Sequence, residues 1–523
     1  MPRSESPPDA DVRAPALLLL GIVLAAATDA LPQALGQVAR PELAGFAGAS
    51  VDEGAWLVIA FAAGKSLGFL LVAPFILTLG IRRALTSIAL AQAACAVVLG
   101  LQSTYMGALV GRAVQGFLGG AMLAGAYGAL VGLVPRAHHA LALGLWGVTT
   151  LLLPALFSAL GGAWTDALDW QHAMMGCVPI GLAAAWVLQR ALPRKPWPSA
   201  GPWGAPSLAV LLCALLCVGG QFIATQGTRY NWDDVPFMMP LVVALGVAAA
   251  LLAAIEWRRP HVQALFHRGP FGLPEFNFSL LMSLVAGYGA TATIMLAPLY
   301  VRKLFGVAAH DAGFMQLPSL IPGALALAVS AIATQRQWLS ALHLILMGAG
   351  MFLLSLLLWA QATWQVDLGF VATIIALRGA GLGLMAVPSA RLAFARLHER
   401  EALYAAGYFQ SARQWGGALA MLSITWRLAE RTARFQYHLA QHMTVADPAI
   451  TQRLLGEGQA LAARGGPAWE PQALGTVLSA QALHNQVLVL AYNACFMEIC
   501  VVYGGLMALA LGYRAIADRV RAR

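Results

Sequence analysis

Apolar residues run along this chain in long blocks broken by short polar punctuation, and the blocks set the predicted elements. A helix crossing about 30 Å of hydrocarbon needs roughly 20 apolar residues. Fourteen stretches meet that length, at approximately 15–38, 54–79, 84–102, 105–133, 141–160, 172–189, 206–226, 236–256, 276–300, 312–333, 339–360, 368–390, 403–426 and 486–512. The pattern predicts an all-α polytopic membrane protein. Residues 1–14 and 513–523 read as aqueous tails. The first block is long and lacks a small-residue cleavage site, so it reads as a retained span.

Composition narrows the class. Of 523 residues, 59% are hydrophobic and 11% charged, with a mean hydropathy of +0.71. A soluble domain carries roughly 25% charged residues, so a soluble enzyme, a disordered chain and a disulfide scaffold are excluded. The six cysteines (Cys95, Cys177, Cys213, Cys217, Cys495, Cys500) lie in apolar segments without CxxC spacing. They read as small buried hydrophobes.

The net charge of +9 is a matter of topology. With the N-terminus inside, segments on that side hold 19 Lys and Arg, including Arg82, Arg83, Arg190, Arg258 and Arg391. The short loops on the other side hold four: Arg40, Arg229, Arg302 and Lys303. That bias predicts both termini in the cytoplasm, and the basic balance needs no nucleic-acid partner.

Pro- and Trp-rich residues 193–206, and residues 257–275, read as linkers. The chain then divides into an N-terminal six-helix bundle at 15–190, linkers with two extra helices at 191–275, and a C-terminal six-helix bundle at 276–512. The last includes a large loop at 427–485 on the far side of the membrane. A weak internal repeat supports the division. The Gly-rich stretch after Arg112 in span four recurs after Arg378 in span twelve, and the residues around Gly144 recur around Gly407. Two similar six-helix halves are an architecture of secondary transporters, with the substrate site near the midplane.

Six ionisable residues fall at membrane depth: Asp29, Lys65, Arg112, Arg378, Arg413 and Glu498. Each costs about 2.5–3.5 kcal/mol on insertion scales and is a functional candidate by default. Asp29 and Lys65 lie at similar depths, which permits a pair. That pair reads as a proton or substrate site, or as a permanent ion pair that fixes packing. Arg112 begins a stripe of small residues spaced by four, Gly116, Gly120, Ala124, Gly128 and Gly132, suited to close helix contact. Arg413 lies midway along its span. Glu498, near the middle of span fourteen, reads as a titrating acid or as a neutral hydrogen-bonding one. Trp56 and Trp164, near span ends, read as interfacial anchors. No nucleotide-binding GxxxxGK[ST] loop and no His/Glu metal motif occurs, so no cofactor and no enzyme activity is expected.

In the large loop, Leu428, Phe435, Leu439 and Met443 recur at near-helical spacing. Span thirteen is therefore expected to continue outward as an amphipathic helix, with a second helix through Leu474, Leu478 and Leu483 leading into span fourteen. A partner-docking hairpin and a self-packed cap both fit this pattern.

The chain resembles the fourteen-span drug:proton antiporter branch of the major facilitator superfamily, the EmrB/QacA-like transporters, from about residue 29 to 510. The clearest motif is Arg112-x-x-Gln115-Gly116 in span four. Others are Trp56 with Phe61, Leu145-Trp146, Gly161-Gly162, and Trp170 followed by Val178-Pro179-Ile180-Gly181. Asp29 stands where the family has a first-span acid, and Arg413 resembles its thirteenth-span arginine. Departures are clear. Leu31 replaces a Thr after Asp29, and Lys65 stands where a neutral residue is usual. In the GxxxDRxGRR loop after span two, Ala73, Leu77 and Thr78 replace Gly, Asp and Arg, leaving Gly80, Arg82 and Arg83. In span five, Phe157-Ser158 replaces a Gly-Pro pair, while Pro154, Gly161 and Gly162 remain.

The resemblance implies a major facilitator fold and proton-coupled efflux of hydrophobic or amphipathic toxic compounds across a bacterial inner membrane. It implies a periplasmic adaptor of the EmrA type and an outer-membrane channel as partners. Asp29, Arg112 and Glu498 are the expected proton-coupling residues. Lys65, Gln115, Arg413 and Arg378 are expected to bind substrate or tune charge. Gly116, Pro154, Gly161, Gly162, Gly80, Arg82 and Arg83 carry the conformational motifs. Four of the six buried charges are positive, which favours aromatic weak acids as substrates. The alternatives are an exporter of one specific metabolite, such as a siderophore, and a non-transporting membrane scaffold or sensor.

Overall fold

The computed structural model of the protein describes residues 15–38, 51–102, 104–135, 138–167, 170–193, 207–227, 236–259, 265–305, 314–363, 366–441 and 471–522, with three isolated positions between 452 and 459. Fourteen helices carry the expected spans. They are α1 (Pro15–Val38), α2 (Val51–Leu79), α3 (Ile81–Gly100), α4 (Tyr105–Leu133), α5 (His139–Ala167) and α6, in two pieces, Trp170–Met175 and Cys177–Ala191. Then come α7 (Ser207–Gln226), α8 (Met238–Trp257), α9 (Pro274–Phe305), α10 (Leu320–Gln335) and α11 (Ala341–Ala360). The series ends with α12 (Leu368–Phe394), α13 (Glu399–Gln441) and α14 (Pro471–Ala522). The described residues contain no strand.

By length and composition, thirteen of these helices can cross a membrane. The exception is α13, whose polar Gln410, Ser411 and Arg413 lower its hydropathy. It does not need a lipid-facing surface there, because residues 402–411 are all buried against α2, α4, α7 and α9.

The packing repeats itself. In the first half, α1 packs on α5 and α6, α3 on α4 and α6, and α2 on α4. In the second, α9 packs on α13 and α14, α11 on α12 and α14, and α10 on α12. Each pair recurs eight helices later. The halves meet symmetrically, α2 against α13 and α5 against α10. The sequence repeat marks these seams. Gly144 of α5 abuts Ala331 and Leu327 of α10, and Gly407 of α13 abuts the Phe69 carbonyl of α2.

Within the first half, the α4 stripe is a packing surface. Gly116 and Gly120 face the Phe61 and Lys65 carbonyls of α2, and Gly64 and Gly68 of α2 face the Ala113 and Phe117 carbonyls of α4. A Cβ at any of them would sit against backbone, so the two helices touch main chain to main chain. The extra helices lie to one side. α7 packs on both α2 and α13, and α8 packs on α7.

Most described arginines outside the helix middles, among them Arg82, Arg83, Arg190, Arg258, Arg336, Arg391 and Arg514, lie at one end of the molecule, the basic end, where α2, α6, α8, α10, α12 and α14 finish. At the opposite end α13 and α14 run on well beyond membrane thickness. At 1.5 Å per residue their 43 and 52 residues span about 65 and 78 Å. The expected amphipathic continuation is thus present through Gln441, and the expected second helix is the first part of α14, which is continuous from Pro471. Met443 lies outside the described residues. Trp56 differs from its expected role as a lipid anchor: it stacks on Phe222 of α7 with ring centroids 4.9 Å apart. Trp164 is 39% exposed.

Candidate functional site

Asp29 and Lys65 meet. Pro32 sits inside α1 and offers no N–H to the Thr28 carbonyl one turn back, so α1 has a free acceptor beside Asp29. Gln92 of α3, with its amide turned to suit its neighbours, donates to that carbonyl at 2.9 Å and accepts from Gly119 N at 2.8 Å. Lys65 Nζ reaches from α2 to Asp29 Oδ2 at 2.6 Å, and donates also to Gln33 Oε1 at 2.6 Å. Phe61 and Phe69 flank the ammonium. The pair is enclosed, with Asp29 4% and Lys65 5% exposed. Asp29 Oδ1 has no hydrogen-bond partner and faces Gly119 of α4. A buried carboxylate oxygen without a donor is uncommon in a folded protein.

Arg112 does not join that pair. Its Nη1 donates to the Pro32 carbonyl at 3.0 Å and to Gln115 Oε1 at 2.7 Å, and its guanidinium lies 4.4 Å from the Phe61 ring centroid. Its Nε is unpartnered. The guanidinium therefore rests on neutral acceptors, packed beside Gly36 of the helix that carries Asp29. Any displacement of α1 moves Asp29 and this carbonyl together.

Arg378 repeats the arrangement in the second half. Its Nη2 donates to Gln316 Oε1 at 2.7 Å, while Nε and Nη1 have no partner. It is 5% exposed.

Arg413 lies elsewhere, at a central cavity between the halves. Tyr127, Trp146, Phe409, Met282 and Met385 give this cavity an aromatic and thioether lining. Tyr127 stacks on Trp146 with centroids 4.9 Å apart. Arg413, Gln410, Ser389, Ser283 and Thr150 supply polar groups, and Gln410 Oε1 and Ser389 Oγ are unpartnered. The free space is about 40 Å³, enough for water but far below the roughly 300 Å³ of a small-molecule site. Apolar walls with a few convergent polar groups suit an amphipathic molecule, once the halves separate.

Glu498 is not a lone acid at mid-membrane. Arg431 of α13 donates to its Oε1 from Nε at 3.0 Å and also from Nη2, and Arg427 Nε lies 3.5 Å from Oε2. Five residues earlier on α14, Asn493 donates to the Ala362 carbonyl in the α11–α12 loop. Glu498 therefore lies about 7 Å along α14 from the level of the α11–α12 loop, with its side chain 27% exposed.

The motif residues are spread out. Gly80 joins α2 to α3 with φ 80°, a left-handed conformation that favours glycine. Arg82 and Arg83 begin α3 there. Pro154 lies inside α5, Gly161 packs on Leu35 of α1, and Gly162 continues α5. Cys500 is half-buried and the other five cysteines are buried, all as free thiols.

Sequence reasoning missed Gln33, Gln92 and Gly119 around Asp29, Gln316 beside Arg378, and Arg427 and Arg431 beside Glu498. A signal existed for Gln33, one helical turn after Asp29 on the same face.

The fold has relatives. A family model described as Major Facilitator Superfamily matches residues 16–421. A multidrug export protein, EmrB of Haemophilus influenzae, is 22% identical over 83% of this chain and 84% of its own length. The fatty acid resistance protein FarB of Neisseria gonorrhoeae is 22% identical over 58% of this chain and 59% of its own. The match to an uncharacterized MFS-type transporter of Mycobacterium tuberculosis, 27% identical over 70% of this chain, spans about half of that relative's length (52%). The crystal structure of the human organic anion transporter MFSD10 covers 95% of this chain and 100% of its own, with a TM-score of 0.53 at 12% identity, a likeness of fold alone. With a family match across most of its spans and the repeated six-helix packing, the chain belongs to the major facilitator superfamily.

Proposed function

We propose that this protein exports hydrophobic or amphipathic toxic compounds, aromatic weak acids foremost, in exchange for protons across a bacterial inner membrane. The basic end faces the cytoplasm in this reading. The observation that carries it is the enclosed Asp29–Lys65 pair with its one unpartnered carboxylate oxygen. Asp29 is the protonation site and Lys65 sets its charge balance. Arg112, tied to the Pro32 carbonyl, couples the state of α1 to α4. A substrate carboxylate binds Arg413 while its ring packs on Tyr127 and Trp146. Glu498, with Arg427 and Arg431, locks α13 to α14 at the far surface.

Relatives support the substrate class: one is named a fatty acid resistance protein and another a multidrug export protein. A periplasmic adaptor of the EmrA type, and through it an outer-membrane channel, would meet the projecting α13–α14 pair. The test is proton release from purified protein in detergent as aromatic acids and lipophilic cations are added singly. Release triggered by acids in wild type and lost in Asp29→Asn is expected. Release that persists in Asp29→Asn moves the proton site elsewhere, and none with any ligand favours a non-transporting scaffold.

A further inference from the structure

A second cavity, of about 510 Å³, opens at the basic end between the start of α3 and the end of α6. It is far roomier than the central one. Gly80, Arg82, Arg83, Thr86, Ser87 and Gln189 supply its polar walls, and no carboxylate is among the described residues that line it. Leu77 and Thr78 precede the turn, and the Thr78 hydroxyl is spent on the Phe75 carbonyl at 2.9 Å. Neither arginine forms an ion pair with a described acid. Thr86 Oγ1 faces no hydrogen-bond partner.

The remaining wall is apolar and points outward. Leu79 is 43% exposed and Leu90 48% exposed in this lining, and outside it on α6 Trp186 is 54% exposed with Arg190 stacked on it. Leu90 lies about 15 Å along α3 from the Gly80 turn. A cationic, hydroxyl-lined mouth thus opens beside an outward-facing apolar strip. Water-soluble phosphates would use only the mouth. A phospholipid would use both.

We propose that this groove binds the phosphate of an anionic phospholipid, with Arg82 and Arg83 on the phosphate oxygens, Thr86 or Ser87 donating to it, and an acyl chain along Leu90. The positive φ of Gly80 positions the mouth by turning the chain sharply from α2 into α3. Lipid retention at this site is read without transport, so its test and the test of the export reading can fail independently.

The experiment is lipid retention by the full-length chain, delipidated in detergent and titrated with phosphatidylglycerol, phosphatidylcholine or inorganic phosphate, read by native mass spectrometry. A basic side chain near an anionic surface contributes about fivefold, so Arg82→Gln/Arg83→Gln should weaken phosphatidylglycerol binding roughly 30-fold. Ser87→Trp, which fills the mouth and keeps both arginines, should weaken it comparably and guards against misfolding of the first variant. Arg258→Gln/Arg336→Gln, at the same end but outside the groove, should leave it unchanged. Equal retention in the arginine variant, or an equal loss in the Arg258/Arg336 control, overturns the site. Competition by inorganic phosphate at the concentration where phosphatidylglycerol binds overturns the lipid as its occupant.

Discussion

Replacing Lys65 with Met leaves Asp29 without its cation in a site where both residues are about 5% exposed or less. At 2.6 Å the pair attracts by about 6 kcal/mol at an effective dielectric of about 20. Water reaching the site and relaxation of the remaining groups recover part of this. Removing one member of a buried pair typically costs about 3–5 kcal/mol, whereas replacing both by neutral groups of similar size is close to neutral. Asp29 has little else to lean on, since Oδ1 is already unpartnered. Lys65→Met is therefore expected to lower stability by about 3 kcal/mol or more, Asp29→Asn by a similar amount, and Asp29→Asn/Lys65→Met by about 1 kcal/mol or less. Unfolding of the four proteins in mixed micelles, followed by tryptophan fluorescence, gives the coupling energy directly. Additive losses, with the double variant the least stable of the four, would refute the pairing as an energetic unit.

Other perturbations probe different parts. In Gly119→Ala the new methyl would stand 2.6 Å from Asp29 Oδ1, so the carboxylate must swing; ligand-triggered proton release should fall at least about tenfold while the protein still purifies as a single species, as checked by gel filtration. Arg413→Gln removes the only cation among the described residues that line the cavity; in vesicle transport assays it should lose acidic substrates by about tenfold or more and leave cations largely unaffected. Gly80→Ala forces a methyl into a φ of 80° and should cost about 1 kcal/mol, seen as a lowered unfolding midpoint. Glu498→Gln breaks a partly exposed ion pair, so stability should change by about 1 kcal/mol or less, while hydrogen exchange in residues 427–441 should rise.

What the sequence reveals here follows from which forces are local. Hydropathy alone finds the spans, because every lipid-facing surface must be apolar along its whole length. It undervalues α13, whose polar residues are sheltered by four neighbouring helices rather than by lipid. The Asp29–Lys65 pair is readable from depth, since opposite charges at one level in hydrocarbon have few other partners. The acceptors of Arg112 and Arg378 are not. One is the Pro32 carbonyl and the other Gln316, and neither carries a charge to betray it. Glu498 appears central only while α14 is counted as a bare span. Once the helix is seen to run from Pro471 to Ala522, its partners on the outward part of α13 fix its height.

The two halves are alike in packing, yet the extra helices make their seams unequal. α7 lies across α2 and α13: Gln221 donates to Ser66 Oγ of α2 at 3.3 Å, and Gly220 faces the Trp415 ring of α13. The equivalent seam, α5 against α10, is bridged by no such helix among the described residues, and it closes on Gly144, Gly147, Leu327 and Ala331. Gly147 lines the central cavity while abutting Leu327, so on that side only one residue separates cavity from α10. Parting α2 from α13 must drag α7 over one of them and break a buried hydrogen bond, at about 0.5–1.5 kcal/mol for that bond alone. At Gly144 and Gly147 the described contacts of α5 with α10 are apolar van der Waals contacts. Opening the cavity first at these two glycines breaks no described hydrogen bond like the one beneath α7.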